Sequence, residues 1–210
     1  MGAVITVDQS APDEGALARA AAVLSSGGVV VLPTDSVYGI ACAATPGNPA
    51  HRRIFEVKRR PADMTLPWFV ADPGDLDRYG SDVPAWARSL AGRHWPGALT
   101  LVVRASARVG EEYRAPTGTI ALRVPDSPLC RELVRRVGPL AQTSANTHGQ
   151  AAATSGLAVE RSIVGAVDLT LDAGPAPVGV ASTIVDCTQD APRVLREGAV
   201  PASAVLAALP

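Results

Sequence analysis

Four short polar clusters hold the side chains that could do chemistry. They are Pro33-Thr34-Asp35-Ser36, Lys58-Arg59-Arg60-Pro61, Thr143-Ser144-Ala145-Asn146, and Ser182-Thr183 inside the run ASTIVD (181–186). If they converge, their hydroxyls and dispersed cations would hold an anionic ligand; Lys58, Arg60, Arg123 and Arg196 are the candidate cations. Each cluster also has a plainer reading. PTDS can be a Pro-initiated turn, HRRIFEVKRR a solvated helix face with Ile54 and Val57 docking inward, and Ser144 or Asn146 a helix cap. Ser182-Thr183 is harder to dismiss, because two adjacent hydroxyls between Val180 and Ile184 must alternate faces or meet partners.

The common nucleotide and hydrolase devices are missing. There is no G-x-x-x-x-G-K-[ST], no G-x-G-x-x-G after a strand and no G-x-S-x-G elbow. His51, His94 and His148 show no metal-ligand spacing. Cys42, Cys130 and Cys187 are odd in number and far apart, which points to a reducing cytosol and to small core residues rather than a disulfide frame or a metal site.

The elements that must position these clusters alternate. A first strand is expected over 3–7 and a helix over 13–26, with a capping-box-like Ser10 to Asp13 before it and Gly27-Gly28 after it. A strand over 28–32 runs into PTDS, and a basic helix over 49–60 stops at Pro61. Strands near 66–71, 98–104, 118–125, 139–142, 167–171, 180–186 and 193–196 alternate with helices over 84–93, 128–137 and 154–164 and an Ala-rich terminal helix. This is an α/β pattern, one sheet covered by helices; hairpin-like turns such as DAGPAPVG suggest that the sheet is mixed. In open α/β sheets ligands bind beyond the strand ends, and all four clusters fall at strand or helix ends, where they can converge on one site. Thr119 and Arg123, four residues apart on one strand, share a face.

The 210 residues suit a single domain, 1–210. No apolar run is long enough to span a membrane and the start lacks a secretory pattern, so the expected location is cytoplasmic. A net charge of −1 exerts no general pull on nucleic acid or anionic lipid. Of the 19 basic side chains one alone, Lys58, is a lysine, which leaves open whether chance or a need for a compact ammonium preserves it.

At this point the residues resemble a family. GGVVVLPTDSVYGIACAA, FEVKRRP, WPGALTLVV, GTIALRVP, PLAQTSAN, LDAGP, VGVASTIVD and RVLREGAV follow one another as in YrdC-like (TsaC-type) threonylcarbamoyl-AMP synthases, over roughly residues 15–200 and in the short, single-domain form. The resemblance implies an open, twisted, mixed sheet flanked by helices around a concave basic cleft. It implies a nucleotidyltransferase that makes L-threonylcarbamoyl-AMP and pyrophosphate from L-threonine, bicarbonate or CO2, and ATP. The product would feed threonylcarbamoyladenosine modification of tRNA through partner proteins of that pathway. Carried onto this sequence, Lys58, Arg60 and Arg123 would be catalytic. Lys58, Arg60, Thr119, Ser144, Asn146, Thr154 and Arg196 would bind ATP, while Thr34, Ser36, Tyr38, Arg123, Ser182 and Thr183 would bind threonine. Mg2+ would arrive with ATP, without a dedicated protein cage, and no organic cofactor is implied.

The sequence departs from the family pattern on the amino-acid side: Ser36 replaces Thr, Phe69 a His, Ala181 a Glu and Glu197 a Pro, and THGQAAATS replaces a Pro/Ser-rich loop. Two other readings follow. One is a paralogue that adenylates another carbamoylated substrate. The other is a non-catalytic module binding double-stranded RNA or tRNA, against which stand the slightly negative charge and an aromatic content of 4%.

Overall fold

The computed structural model describes residues 2–62 and 64–207. Local sequence signals explain the boundaries of three helices. Helix α1 (Glu14–Ser25) starts where the Asp13 carboxylate accepts the Ala16 N–H and stops at Gly27, whose φ is 79°. Asp13, not Ser10, is therefore the cap, and Ser10 instead donates its hydroxyl to Asp8. Helix α2 (Pro49–Lys58) is capped by Asn48 with Pro49 behind it. It ends at Lys58, three residues before Pro61, because Arg59 turns left-handed, with φ 51°. Helix α5 (Pro128–Val137) is bounded by Ser127, Pro128 and Gly138, as its sequence predicts.

Eleven strands among the described residues form one mixed sheet. In chain order they are β1 (Ala3–Thr6), β2 (Val30–Leu32), β3 (Gly39–Ala43), β4 (Trp68–Phe69), β5 (Gly80–Ser81), β6 (Leu99–Ala105), β7 (Thr119–Arg123), β8 (Leu140–Ser144), β9 (Leu169–Asp172), β10 (Thr183–Asp186) and β11 (Arg193–Arg196). Their spatial order is β1-β9-β2-β3-β8-β4-β7-β6-β10-β11, with β5 against β6. One face is covered by α2, α4 (Ala85–His94) and smaller helices, which meet Val31, Ile40, Trp68, Leu101 and Leu122. The other is covered by α1 and α5 over β2, β3, β8, β9 and β4, with Ala3 and Ile5 of β1 at its margin. Along β6, β7 and β10 that second face stays partly open: Val102, Arg104, Thr119, Ala121, Ile184 and Asp186 are half-buried or exposed there.

Two expectations are corrected. DAGPAPVG is not a hairpin turn, because β9 lies near one edge of the sheet and β10 near the other. Seven strand spacings at ~4.8 Å make about 34 Å, close to the reach of the ten residues, 173–182, that join them, so the segment has no slack for a helix. It crosses the strand ends as a strap, tied by Val178 N–H to the Asp35 carbonyl at 2.9 Å and by Ala176 N–H to the Thr154 carbonyl at 2.7 Å. The helix expected over 154–164 is broken into a turn at Gly156–Ala158 and a short helix α6 (Arg161–Ala166). Gly156 lies so close to Asp172 that a Cβ would sit 2.1 Å from its carboxylate, and Ser155 bridges to Pro175; this packing overrides the Ala-rich helical pattern. The sequence also conceals the short helix α3 (Asp75–Tyr79) ahead of β5. The terminal helix α7 is Ala202–Leu206, and residues 208–210 lie outside the described residues. Among the described residues no helix is long and apolar enough to cross a membrane.

Candidate active site

The polar clusters meet where the covered half of the second face gives way to the open half. A cavity of ≈ 320 Å³ there is floored by Phe69, Thr100 and Gln142 and ringed by Thr34, Ser36, Arg60, Arg123, Ser144, Asn146, Ser182 and Arg196.

Arg123 sits at the C-terminal end of β7 and is 3% exposed. Its Nη2 donates to Asp35 Oδ1 at 2.6 Å, Nη1 to Ser36 Oγ at 2.8 Å and Nε to the Gly97 carbonyl at 2.9 Å. The guanidinium also stacks over the Phe69 ring, 5.5 Å from its centroid. These contacts do not use all of its N–H donors, and the cation still borders the cavity. Thr34 shapes the same bend, donating to the Val37 carbonyl at 2.7 Å and accepting the Ser36 N–H at 3.1 Å.

Arg196 closes the opposite wall, donating Nη2 to the Ser182 carbonyl at 2.7 Å. Burial and the neighbouring Arg123 charge both lower its pKa, so an anion between the two guanidiniums would relieve their repulsion. Ser182 Oγ pairs with Thr100 Oγ1 at 2.9 Å. Arg60 reaches in from the end of α2: Nη1 donates to Thr143 Oγ1 at 3.2 Å and Nη2 to the Thr65 carbonyl at 3.0 Å. Its Nε is buried without a partner, and burial lowers its pKa. An unpartnered donor beside a cavity is a place for a ligand oxygen.

Other expected residues lie elsewhere. The Lys58 side chain is buried behind the cavity wall, its ammonium on the Ser144 and Asn146 carbonyls. Thr183 points away from the cavity: its hydroxyl donates to the Val200 carbonyl and accepts the N–H groups of Gly198 and Val200. Alternation along the strand places Ser182 in the site and Thr183 in the core. Tyr38 borders the cavity, but its hydroxyl donates to the Gly174 carbonyl at 2.7 Å and accepts the Ala173 N–H; burial pushes its pKa up to about 12. Thr154 is exposed and outside the lining. Thr119 lies further along the same face as Arg123, in a second depression of ≈ 420 Å³ with Arg104, Asp186 and Arg193. Neither Ser144 nor Asn146 caps a helix; Ser144 ends β8, and Asn146 begins a turn in which Nδ2 donates to the Thr147 and Gln150 carbonyls.

Sequence reasoning missed Thr100, Gln142 and Gln150, and gave Thr143, though part of the TSAN cluster, no role of its own. For Thr100 and Gln142 a signal existed, since each is a polar residue inside an apolar strand. Phe69 and Ala181 do line the cavity, whereas Glu197 accepts the Ala202 N–H near α7.

A concave, hydroxyl-rich cavity with arginines on several walls, at the strand ends of an open mixed sheet, has the lining to hold a small anion. Known proteins share the fold. A model of the Sua5/YciO/YrdC family, described as "Telomere recombination", matches residues 22–198, and the chain belongs to that family. A Bacillus subtilis protein named threonylcarbamoyl-AMP synthase is 35% identical over 199 residues, 94% of this chain and 57% of the relative. A Pseudomonas aeruginosa protein of the same name is 39% identical over 144 residues, 68% of this chain and 76% of its own. The crystal structure of Pyrococcus abyssi Sua5 complexed with L-threonine superposes with a TM-score of 0.92 at 33% identity, covering 99% of this chain and 61% of that one. Escherichia coli YciO gives 0.87 at 27% identity, covering 98% and 100%. The chain thus spans little more than half the length of the Bacillus and Pyrococcus relatives, at 57% and 56%.

Proposed function

We propose that the protein is a nucleotidyltransferase that makes L-threonylcarbamoyl-AMP from L-threonine, bicarbonate or CO2, and ATP, releasing pyrophosphate. The observation that carries this is the buried Arg123, fixed by Asp35 and Ser36 with N–H donors to spare, lining a cavity that Arg196 also lines. The relatives' names and the threonine complex of the Pyrococcus protein support it.

The chemistry asks for positioning rather than an enzyme nucleophile. The threonine amine loses a proton and attacks CO2, forming a carbamate. A carbamate oxygen then attacks the α-phosphorus of ATP, the P–O bond to pyrophosphate breaks, and pyrophosphate leaves. Arg123 would take the amino-acid carboxylate, with Thr34, Ser36, Ser182 and Thr100 around it. Arg60 and Arg196 would neutralise phosphate charge, each such contact contributing up to ~3 kcal/mol to the transition state. The nucleotide would extend along the open face towards Thr119. The one carboxylate at the bend, Asp35, already faces Arg123, so Mg2+ would be held by the triphosphate rather than by a protein cage. The product would pass to proteins that modify tRNA, in the cytoplasm.

The test is pyrophosphate release from ATP and bicarbonate, with L-threonine, with serine and with no amino acid. Release that requires both threonine and bicarbonate is expected. ATP binding without threonine-dependent release would mean a different acceptor, with Phe69 and Ala181 the first residues to exchange. Salt-sensitive RNA binding in place of nucleotide binding would favour the RNA module.

A further inference from the structure

Lys58 is the sole lysine of the chain and one of its most buried large side chains, 1% exposed. It is the last residue of α2, turned inward where Arg59 turns out. Its ammonium donates to the carbonyl oxygens of Ser144 and Asn146, and its own carbonyl accepts the His148 N–H at 2.8 Å. It does not line the cavity; Ser144, Asn146 and Gln150 do. Glu160 clamps the same turn from α6, accepting the N–H and hydroxyl of Thr147 at 2.7 and 2.6 Å. The charged groups acting on the ammonium are Arg60 and Glu160. Burial and Arg60 push its pKa down to about 8, against the pull of Glu160. Carbonyls converging on one point need a compact donor with N–H groups in three directions, which a planar, longer guanidinium cannot supply. A chain that otherwise uses Arg therefore needs Lys at this position.

We propose that Lys58 is a positioning residue: its ammonium gathers the Ser144 and Asn146 carbonyls and holds the 144–150 turn in the shape that presents Ser144, Asn146 and Gln150 to the ligand, without touching the ligand itself. What the turn presents them to rests on the nucleotide reading of the cavity; the ammonium–carbonyl contact is a property of the free protein.

With one lysine, protein labelled with [13Cε]lysine gives one side-chain signal, so its titration needs no variant. A midpoint near 8 is expected, moving by less than about half a unit when MgATP saturates the protein. A rise of about a unit or more with MgATP would mean a phosphate contact and overturn the proposal, as would an ordinary midpoint near 10.5 in the free protein. Independently, Lys58→Met without nucleotide should speed amide exchange at Asn146, His148 and Gln150 by roughly tenfold or more while β2 and β3 keep their protection. Lys58→Arg should not restore it. Unchanged exchange in the turn overturns the proposal. Should Lys58→Met not fold, the wild-type titration decides. If calorimetry shows that the wild type binds no MgATP, the nucleotide reading fails, while the free-protein midpoint and the exchange comparison still decide the role of Lys58.

Discussion

Asp35 Oδ1 and Arg123 Nη2 lie 2.6 Å apart with both side chains almost wholly buried, although 88 residues separate them in the chain. The pair ties the bend after β2 to the end of β7, and so brings the two halves of the sheet to one cavity. Its strength comes from charge-assisted hydrogen bonds in a place that water does not screen. It is also a vulnerability, because removing one partner leaves the other charge buried and uncompensated.

Asp35→Ala should therefore destabilise the protein by about 3–5 kcal/mol, and Arg123→Met by a similar amount. The double variant Asp35→Ala/Arg123→Met should recover a large part of that loss. Urea unfolding of all four proteins gives the coupling, and additive losses would show that the pair contributes little.

Arg60 and its neighbour should separate cleanly. Arg59 is exposed, in a left-handed conformation that glycine adopts without strain. Arg59→Gly is expected to leave ATP affinity and stability nearly unchanged, while Arg60→Ala should lose about 1.5–3 kcal/mol of ATP binding. Calorimetry decides. Equal losses would mean that the basic helix acts through bulk charge alone.

Thr183 and Ser182 should differ in the opposite currencies. Thr183→Val removes the hydroxyl that three backbone groups at Gly198 and Val200 share, and should cost about 1–3 kcal/mol of stability with little change in amino-acid binding. Ser182→Ala should weaken threonine binding with a much smaller effect on unfolding. Gly198 belongs to the same junction: a Cβ there would sit 2.1 Å from the Ala181 carbonyl. Gly198→Ala should therefore disturb this wall even though it adds a single methyl group.

Above pH 9 the protein should lose stability. The buried thiols of Cys42, Cys130 and Cys187 are pushed from 9.0 up to about 12, and Tyr38 from 10.0 to about 12, all mainly by burial. Raised folded-state values mean that the native state keeps protons the unfolded chain gives up. Their contribution is complete below pH 9 and is lost as pH climbs to 12, by up to ~1.4 kcal/mol per pH unit for each group. Lys58 runs the other way, its pKa depressed from 10.5 to about 8, so it returns stability over that interval. One group against several leaves a net fall. Urea midpoints between pH ~8 and ~11 should drop, and less steeply in Cys42→Ala/Cys187→Ala. A flat profile would contradict this account of the core.

Elements with strong local signals were legible. Helix α5 begins and ends where Ser127, Pro128 and Gly138 place it, because caps and glycine act within a few residues of themselves. The strap over 173–182 was not legible, since a Gly/Pro-rich segment looks the same whether it closes a hairpin or crosses a sheet. The order of the strands distinguishes the two, and strand order is a matter of distant pairings.

The same division holds at the site. The sequence by itself determined the α/β alternation, the family, and the placing of all four polar clusters at element ends, since these follow from local periodicity, turn chemistry and motif order. Tertiary structure alone decided which side chains face the cavity. It turned Ser182 in and Thr183 out, paired Asp35 with Arg123 and put Lys58 behind the turn it holds. Adjacent strand residues point to opposite faces, and which face is open depends on where α1 and α5 stop covering the sheet. That boundary is set by packing between segments far apart in the chain, and no local stretch of residues records it.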